Sequence, residues 1–359
     1  MKFGVQMVFQ SYGYPESVID GQVVHEEIAL AVLAEDLGFD AVWPVEHHFE
    51  DYAFCPDNFV VLAHLAARTE RISLGTGAVI LPWNNPLRVA EKASLVDHLC
   101  GGRLLLGLGR GLARREYDRM GVAMDESRDR FDEAAAMVIR ALDSGTIEGT
   151  GPYYPQPAAP IRPRPARSFA DRLYCVAMSP DSVLTAADLG AQMIVFSQRP
   201  WADQAEAYRQ YGDRYVDRHG GSPKPLLTCD FVYCDEDPVR AEDIAREHIA
   251  GYLTSVLAHY ELAGDHFKEA KGYESYGDAV DLLKAIGLEQ MCDMYLGVQA
   301  WGTPATMIDQ LVARREIIGD YDLTCCFRFA GLPYDLAERS MRTFAETVMP
   351  VLRSELAAR

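Results

Sequence analysis

The chain has 359 residues, 49% of them hydrophobic, ample for a sizeable core in one large domain or two ordinary ones. Its 53 acidic against 34 basic residues give a formal net charge of −19 with no basic stripe, which argues against a nucleic-acid partner and reads as a solvated acidic surface. The eight cysteines are scattered without a C-x-x-C pair, no apolar run approaches a membrane span, and MKFGVQMVF lacks the apolar length of a secretory leader; the expectation is a reduced, cytoplasmic protein with no membrane partner.

Segment 2–9, KFGVQMVF, reads as a first strand. Leu30, Leu33, Ala34 and Leu37 then share one helical face, which Gly38 stops. DAVWPVEH (40–47) reads as a strand, 58–67 as a helix, RISLGTGAVIL (71–81) as a strand, and 86–100 as a helix with Pro86 at its start. GRLLLGLG (102–109) is apolar almost throughout, as a strand covered on both faces must be. The helix expected over 126–143 puts Phe131, Ala134, Ala135, Val138 and Leu142 on one face. Residues 149–171 break the rhythm, with six prolines between 152 and 165, and read as an ordered insertion because the alternation resumes after them. Strands follow at 172–178, 191–197, 225–234 and 323–330; helices begin at Ser179–Pro180 and run over 201–218, 238–262, 302–316 and 334–357. Residues 264–300, rich in Gly, Tyr and Asp, read as an irregular, mobile insertion. Eight strands, each followed by helix, predict an α/β fold: one (β/α)8 TIM barrel with insertions over 1–359.

Functional groups of such a barrel gather where its strands end. The second strand ends in Glu46-His47-His48, for which three readings compete: metal ligands, acid–base groups, or polar residues satisfied in a barrel mouth. Neighbours on a strand point to opposite faces, so His47 and His48 are poorly placed to grip one metal, and no second His cluster with Asp or Glu stands at a strand end; the acid–base reading is favoured and no metal is expected. Gly75 and Gly77 inside the third strand mark a close approach of backbone or ligand, or a bulge. Arg110, between two glycines after the fourth strand, suits an anion or a surface ion pair. Ser179 and Ser182 after the fifth open a helix whose N–H groups form a phosphate site or are simply capped.

In order and spacing the segments VEHHF, LGTGAVILP, GGRLLLGLGRGL, GTPATMID, CCFRFAG and VMPVL resemble the bacterial luciferase-like family of flavin-dependent monooxygenases nearly end to end. The resemblance implies a barrel that binds reduced FMN at its mouth, receives it from a separate flavin reductase by diffusion, and with O2 forms a C4a-peroxyflavin that oxygenates a small organic substrate. It implies that His47 is the catalytic acid–base, with Glu46 helping and His48 beside it. It further implies that Gly77–Ala78 is a cis peptide beneath the flavin, that Arg110, Arg128, Ser179 and Ser182 hold the phosphate, and that 264–300 is a mobile lid. Departures from the family's light-emitting members stand at Gly109, Met178, Phe196–Ser197 and Arg328, two of which, Gly109 and Met178, also border the cofactor. They imply a kept cofactor frame, an altered substrate pocket and chemistry other than light emission. An F420-dependent hydride-transfer enzyme and a non-catalytic flavin-binding subunit are the alternatives; the retained His47 argues against the second. The family's pairing through its second and third helices implies a homodimer, with Ala63, Ala66, Ala67, Ala90 and Ala93 small enough for close helix contact.

Overall fold

The computed structural model describes residues 1–262, 267 and 273–357. The barrel opens with β1 (Phe3–Met7), β2 (Ala41–Pro44), β3 (Ser73–Gly75), its continuation β4 (Val79–Ile80), and β5 (Leu104–Gly109). An antiparallel hairpin, β6 (Thr146–Gly149) and β7 (Gln156–Pro160), precedes β8 (Leu173–Val176), β9 (Gln192–Phe196) and β10 (Leu226–Phe231). A short parallel pair, β11 (Tyr233–Cys234) and β12 (Trp301–Gly302), stands outside the barrel, which β13 (Tyr321–Cys326) completes. Closure is made by β13 pairing with both β10 and β1, and by β3 pairing with β5, every barrel ladder being parallel.

Helices cover the outside, burying Leu30, Ala31 and Ala34 of the first helix and Phe59, Leu62 and Leu65 of the second against the strands. The lower half of the interior is filled by Ala41, Trp43, Tyr174, Ile194 and Leu227. Trp43 explains Gly75: a Cβ there would lie 2.2 Å from the indole, so the close approach read from the glycine is that of a core side chain. The Gly77–Ala78 peptide is cis, and it splits the strand expected over 71–81 into β3 and β4.

Three expectations need correction. The segment 264–300 is not irregular throughout: Glu274–Leu296 is helical, interrupted at Gly287 with φ 82°, and that glycine hid the periodicity. Residues 264–266 and 268–272 of the expected lid lie outside the described residues. The last strand ends at Cys326 rather than at 330, because Arg328 turns to Glu26, 2.9 Å away, and Ala330 takes φ 44°. The helix over 334–357 is broken by a π turn at Phe344–Val348 just before Pro350, which has no N–H to continue the ladder. One helix, Arg114–Met120, was not anticipated at all.

Candidate active site

A cavity of about 320 Å³ opens at the C-terminal ends of the barrel strands. Its wall is largely apolar, with Val45, Phe196, Phe231, Leu253, Val256 and Tyr295 among the side chains. Of the residues singled out from sequence, Glu46, His47, Gly77, Ala78, Gly109, Arg110, Met178 and Ser182 line it, whereas His48, Arg128 and Ser179 stand behind it. Among the departures, Gly109, Met178 and Phe196 face the cavity, but Ser197 and Arg328 do not. Ser197 donates to Asp230 at 2.7 Å, and Arg328 is buried on Glu26 and the Gln10 carbonyl. A second cavity, of about 380 Å³, lies at the opposite end of the barrel beside Lys2, Asp40, Arg71 and Asp322, away from these groups.

The three polar residues after β2 have separate tasks. Glu46 is buried and accepts from the Ile80 N–H at 3.0 Å, the Trp83 indole at 2.7 Å and the Asn84 amide at 2.8 Å, so its carboxylate anchors the turn after the cis peptide. His48 turns the same way, its Nε2 3.5 Å from Glu46 Oε1. His47 turns to the cavity, with Nε2 3.4 Å from the Tyr260 hydroxyl and Nδ1 3.0 Å from Glu116 Oε1. The carboxylate behind the catalytic candidate is therefore Glu116, not Glu46 as expected. Glu116 comes from the unanticipated Arg114–Met120 helix and also accepts the His48 N–H at 2.8 Å. Burial alone would raise its carboxyl pKa; the charge and hydrogen bond of His47, and behind them His259 and the His48 N–H, outweigh this and hold it low.

His259, at the end of the Pro238–His259 helix, lies beyond Glu116. Its ring stacks on Tyr52 at 4.3 Å, its Nδ1 meets Glu50 Oε2 at 3.0 Å, and its Nε2 lies 4.0 Å from Glu116 Oε1. Donor atoms of His47, Glu116 and His259 fall within 4.8 Å of one another, close enough for a cation to be considered. Within the group His47 meets Glu116 through Nδ1, and its Nε2 faces Tyr260, while His259 turns its own Nδ1 to Glu50. Neither Glu116 nor His259 was legible as a partner of His47, since neither ends a strand. The usable signal for His259 was its place on the inner stripe Tyr252, Ser255, Val256, His259 of its helix.

Burial, and after it the neighbouring His47, depress the His259 imidazole from 6.5 to about 4. The unfolded chain binds this proton before the folded one does, so the contribution to stability is complete above 6.5 and is lost as pH falls towards about 4. The urea midpoint is expected to drop across that window, and His259→Phe is expected to flatten the drop.

At the far side of the cavity two guanidinium groups share a corner. Arg110 lies 3.8 Å over the Tyr273 ring. Arg128 donates to Thr185 at 3.2 Å, while its Nε and Nη2 are buried with no hydrogen-bond partner. Burial, and then the charge of Arg110, lower the Arg128 pKa, and an anion between the two would relieve both. The Pro180–Asp188 helix starts at the same corner; the Ser179 N–H donates to Ser182 Oγ at 2.8 Å, and the two hydroxyls lie 3.0 Å apart. The capping reading is thus realised, and it leaves the helix N-terminus aimed at the corner. Orphaned cationic nitrogens and a helix N-terminus at one corner fit a phosphate, whereas Gly109 is explained by Ile80, whose Cδ1 would lie 2.8 Å from a Cβ there.

A family model described as luciferase-like monooxygenase matches residues 1–321. The alkanal monooxygenase alpha chain of Aliivibrio fischeri is 26% identical over 361 residues, spanning 98% of this chain and 99% of that protein. Monooxygenase RslO1 from Streptomyces bottropensis superposes with a TM-score of 0.80 at 25% identity, over 98% of this chain and 100% of that one. The oxygenating constituent of 3,6-diketocamphane monooxygenase from Pseudomonas putida, solved with FMN, shares the fold at a TM-score of 0.76 and 18% identity, over 98% of each chain. So does the coenzyme F420-dependent tetrahydromethanopterin reductase of Methanopyrus kandleri, at 0.66 and 21%, over 97% of this chain and 98% of that one.

Proposed function

Because the chain belongs to the luciferase-like monooxygenase family, we propose that it is the oxygenase component of a two-component system, taking reduced FMN from a separate flavin reductase and oxygenating a small, largely apolar organic substrate with O2. The observation that carries this reading is an apolar cavity lined both by an inward-facing His47, backed by buried Glu116, and by Arg110, with the orphaned cationic nitrogens of Arg128 buried behind that same corner. Arg110, Arg128 and the Ser179–Ser182 helix start would hold the FMN phosphate, and the cis Gly77–Ala78 turn would carry the ring. When bound, the flavin supplies electrons and the activation of dioxygen.

The protein's own groups do the rest. Glu116 keeps His47 in the tautomer that presents Nε2 to the cavity, where it gives or takes one proton. The apolar wall excludes water from the reacting atoms. Phe196 and Met178, two of the departures from the light-emitting members, face this wall, and they support hydroxylation or Baeyer–Villiger chemistry over light emission.

Replacing Arg128 by Ala is expected to weaken reduced-FMN binding by about 10- to 100-fold, the value of one charge-assisted hydrogen bond. Thermal stability should hold or rise, because the orphaned nitrogens go with the side chain. Fluorescence titration and a melting curve measure both, and unchanged affinity would remove the phosphate role. The hydride-transfer alternative draws on the fold shared with the tetrahydromethanopterin reductase. It is separated by the same titration with F420 and by O2 uptake, which only an oxygenase couples to substrate oxygenation.

We also place the protein in the reducing cytoplasm, in keeping with eight free cysteines, and as a homodimer. Among the described residues no helix is long and apolar enough to cross a membrane. The helix pair of the expected interface, Asn58–Ala66 and Pro86–Leu99, buries Ala90 and Ala93 against the barrel, so those two alanines serve the core. What the pair exposes is Val60, Leu95 and Leu99, at 65%, 49% and 57%. Leu95→Asp is expected to shift the mass by light scattering from dimer to monomer.

A further inference from the structure

We infer that His259 and Glu50 extend the His47–Glu116 pair into a proton relay joining the cavity to the protein surface. The inference deepens the oxygenase reading and rests on it for the origin of the proton.

The link that points to it is an unsatisfied one. His259 is 2% exposed, and its Nε2 is buried with no hydrogen-bond partner, which natively placed polar atoms rarely are. With its Nδ1–H donating to Glu50, Nε2 carries a lone pair turned towards the Glu116 carboxylate, 4.0 Å away. Two acceptors facing each other across that gap form a place for a proton. A histidine kept only for packing would place both nitrogens on partners or in water.

The ring cannot turn aside. It lies at 13° to Tyr52, whose hydroxyl is held by Tyr252 at 2.7 Å, and His47 stands edge-on at 5.4 Å. The charged and titratable groups facing it are Glu50 from the segment after β2, Glu116 from the Arg114–Met120 helix, and His47, Tyr52 and Tyr260 around the ring. Glu50 is one-fifth exposed, at 20%, and is steadied by Arg115 at 3.1 Å and Arg119 at 3.5 Å, so the chain of groups ends at solvent. The low proton affinity that burial imposes on His259 suits a group that carries a proton only in passing.

The transfer balances. A proton accepted at Nε2 of His47 releases the Nδ1 proton to Glu116. Glu116 passes it to Nε2 of His259, whose Nδ1 proton goes to Glu50 and then to water. One proton enters, one leaves and no electron moves; the same path run inward restores both tautomers.

The test has two arms. The first uses the FMN-free protein: nitrogen NMR of the histidine rings is expected to find His259 as the neutral Nδ1–H tautomer, with a signal that moves in Glu50→Gln. The second follows proton-coupled reoxidation of bound reduced FMN across pH in stopped flow. His259→Gln and Glu50→Gln are expected to slow it by about tenfold or more, with FMN affinity unchanged. Added imidazole is expected to restore the rate, with saturation, in His259→Ala. An Nε2–H tautomer, a wild-type rate and pH profile in His259→Gln, or a loss that imidazole does not repair would each overturn the relay. So would saturable Zn2+ binding to the wild type that His259→Gln abolishes, since the gap would then be a cation site. If wild type neither binds reduced FMN nor reacts with O2, the oxygenase reading fails, and the NMR arm still decides the His259–Glu50 link.

Discussion

His47→Ala is expected to lower substrate oxygenation by about 10²- to 10⁴-fold, the usual worth of a positioned acid–base group, with reduced-FMN affinity within a small factor of wild type. The split follows from geometry. The imidazole meets the cavity through Nε2, while the cationic corner that would hold the phosphate is built from Arg110 and Arg128 on later segments. The fold should survive, because Glu116 keeps the His48 N–H after the ring is gone. Glu116→Gln should share most of the loss, since an amide can present its N–H to Nδ1 and select the wrong tautomer. Glu46→Gln is the contrasting control: it keeps a carbonyl for one donor but sets an NH2 against others among Ile80 N, Trp83 and Asn84, so it should act on stability more than on rate. Steady-state turnover with matched FMN titrations separates the three, and a His47→Ala enzyme at wild-type turnover would end the acid–base assignment.

What the amino-acid sequence discloses of this fold follows the range of the interactions involved. Strands such as 104–109 declare themselves because both faces are covered and almost every side chain is apolar. Helix starts at Pro86, Pro180 and Pro304 were visible because proline at the first helical position is a local choice. The long helix Glu274–Leu296 was missed because Gly287 breaks its period, and the Arg114–Met120 helix because seven residues are too few to show one.

The site divides the same way. His47, the cis turn and Arg110 lie at strand ends, where barrel logic and family resemblance both direct attention. Glu116 lies 69 residues from His47 and Glu50 lies 209 from His259, and nothing local marks either pair. Their contact is a product of packing, and it sets Glu116, rather than Glu46, against the His47 ring. The separation of His47 from His48 was legible, because adjacent side chains near a strand end diverge, and the structure turns one to the cavity and the other to Glu46.

Asp230→Asn is expected to destabilise the protein by about 3–5 kcal/mol, the cost of stripping one partner from a buried ion pair. Asp230 ends inside the barrel wall on β10 and is fully buried, and Arg314 reaches it from the Pro304–Ile318 helix with two parallel hydrogen bonds, one of them 2.8 Å. The guanidinium also lies 4.4 Å over Trp201 and donates to the Val298 carbonyl at 3.2 Å, so it has no route to water once its carboxylate is gone. Burial would strip charge from Arg314, but Asp230 holds its pKa above the ordinary value. The same carboxylate accepts from Ser197, whose neighbours Phe196 and Gln198 line the cavity, and so ties the frame to the cavity wall. The urea midpoint should therefore fall at unchanged slope, accompanied by a rise in substrate KM rather than a loss of FMN affinity. Replacing both partners, as in Asp230→Leu with Arg314→Met, should recover much of the stability, since two matched apolar groups carry no desolvation cost. A double variant as unstable as Asp230→Asn would show that the pair's geometry, and not its uncompensated charge, holds this side of the barrel.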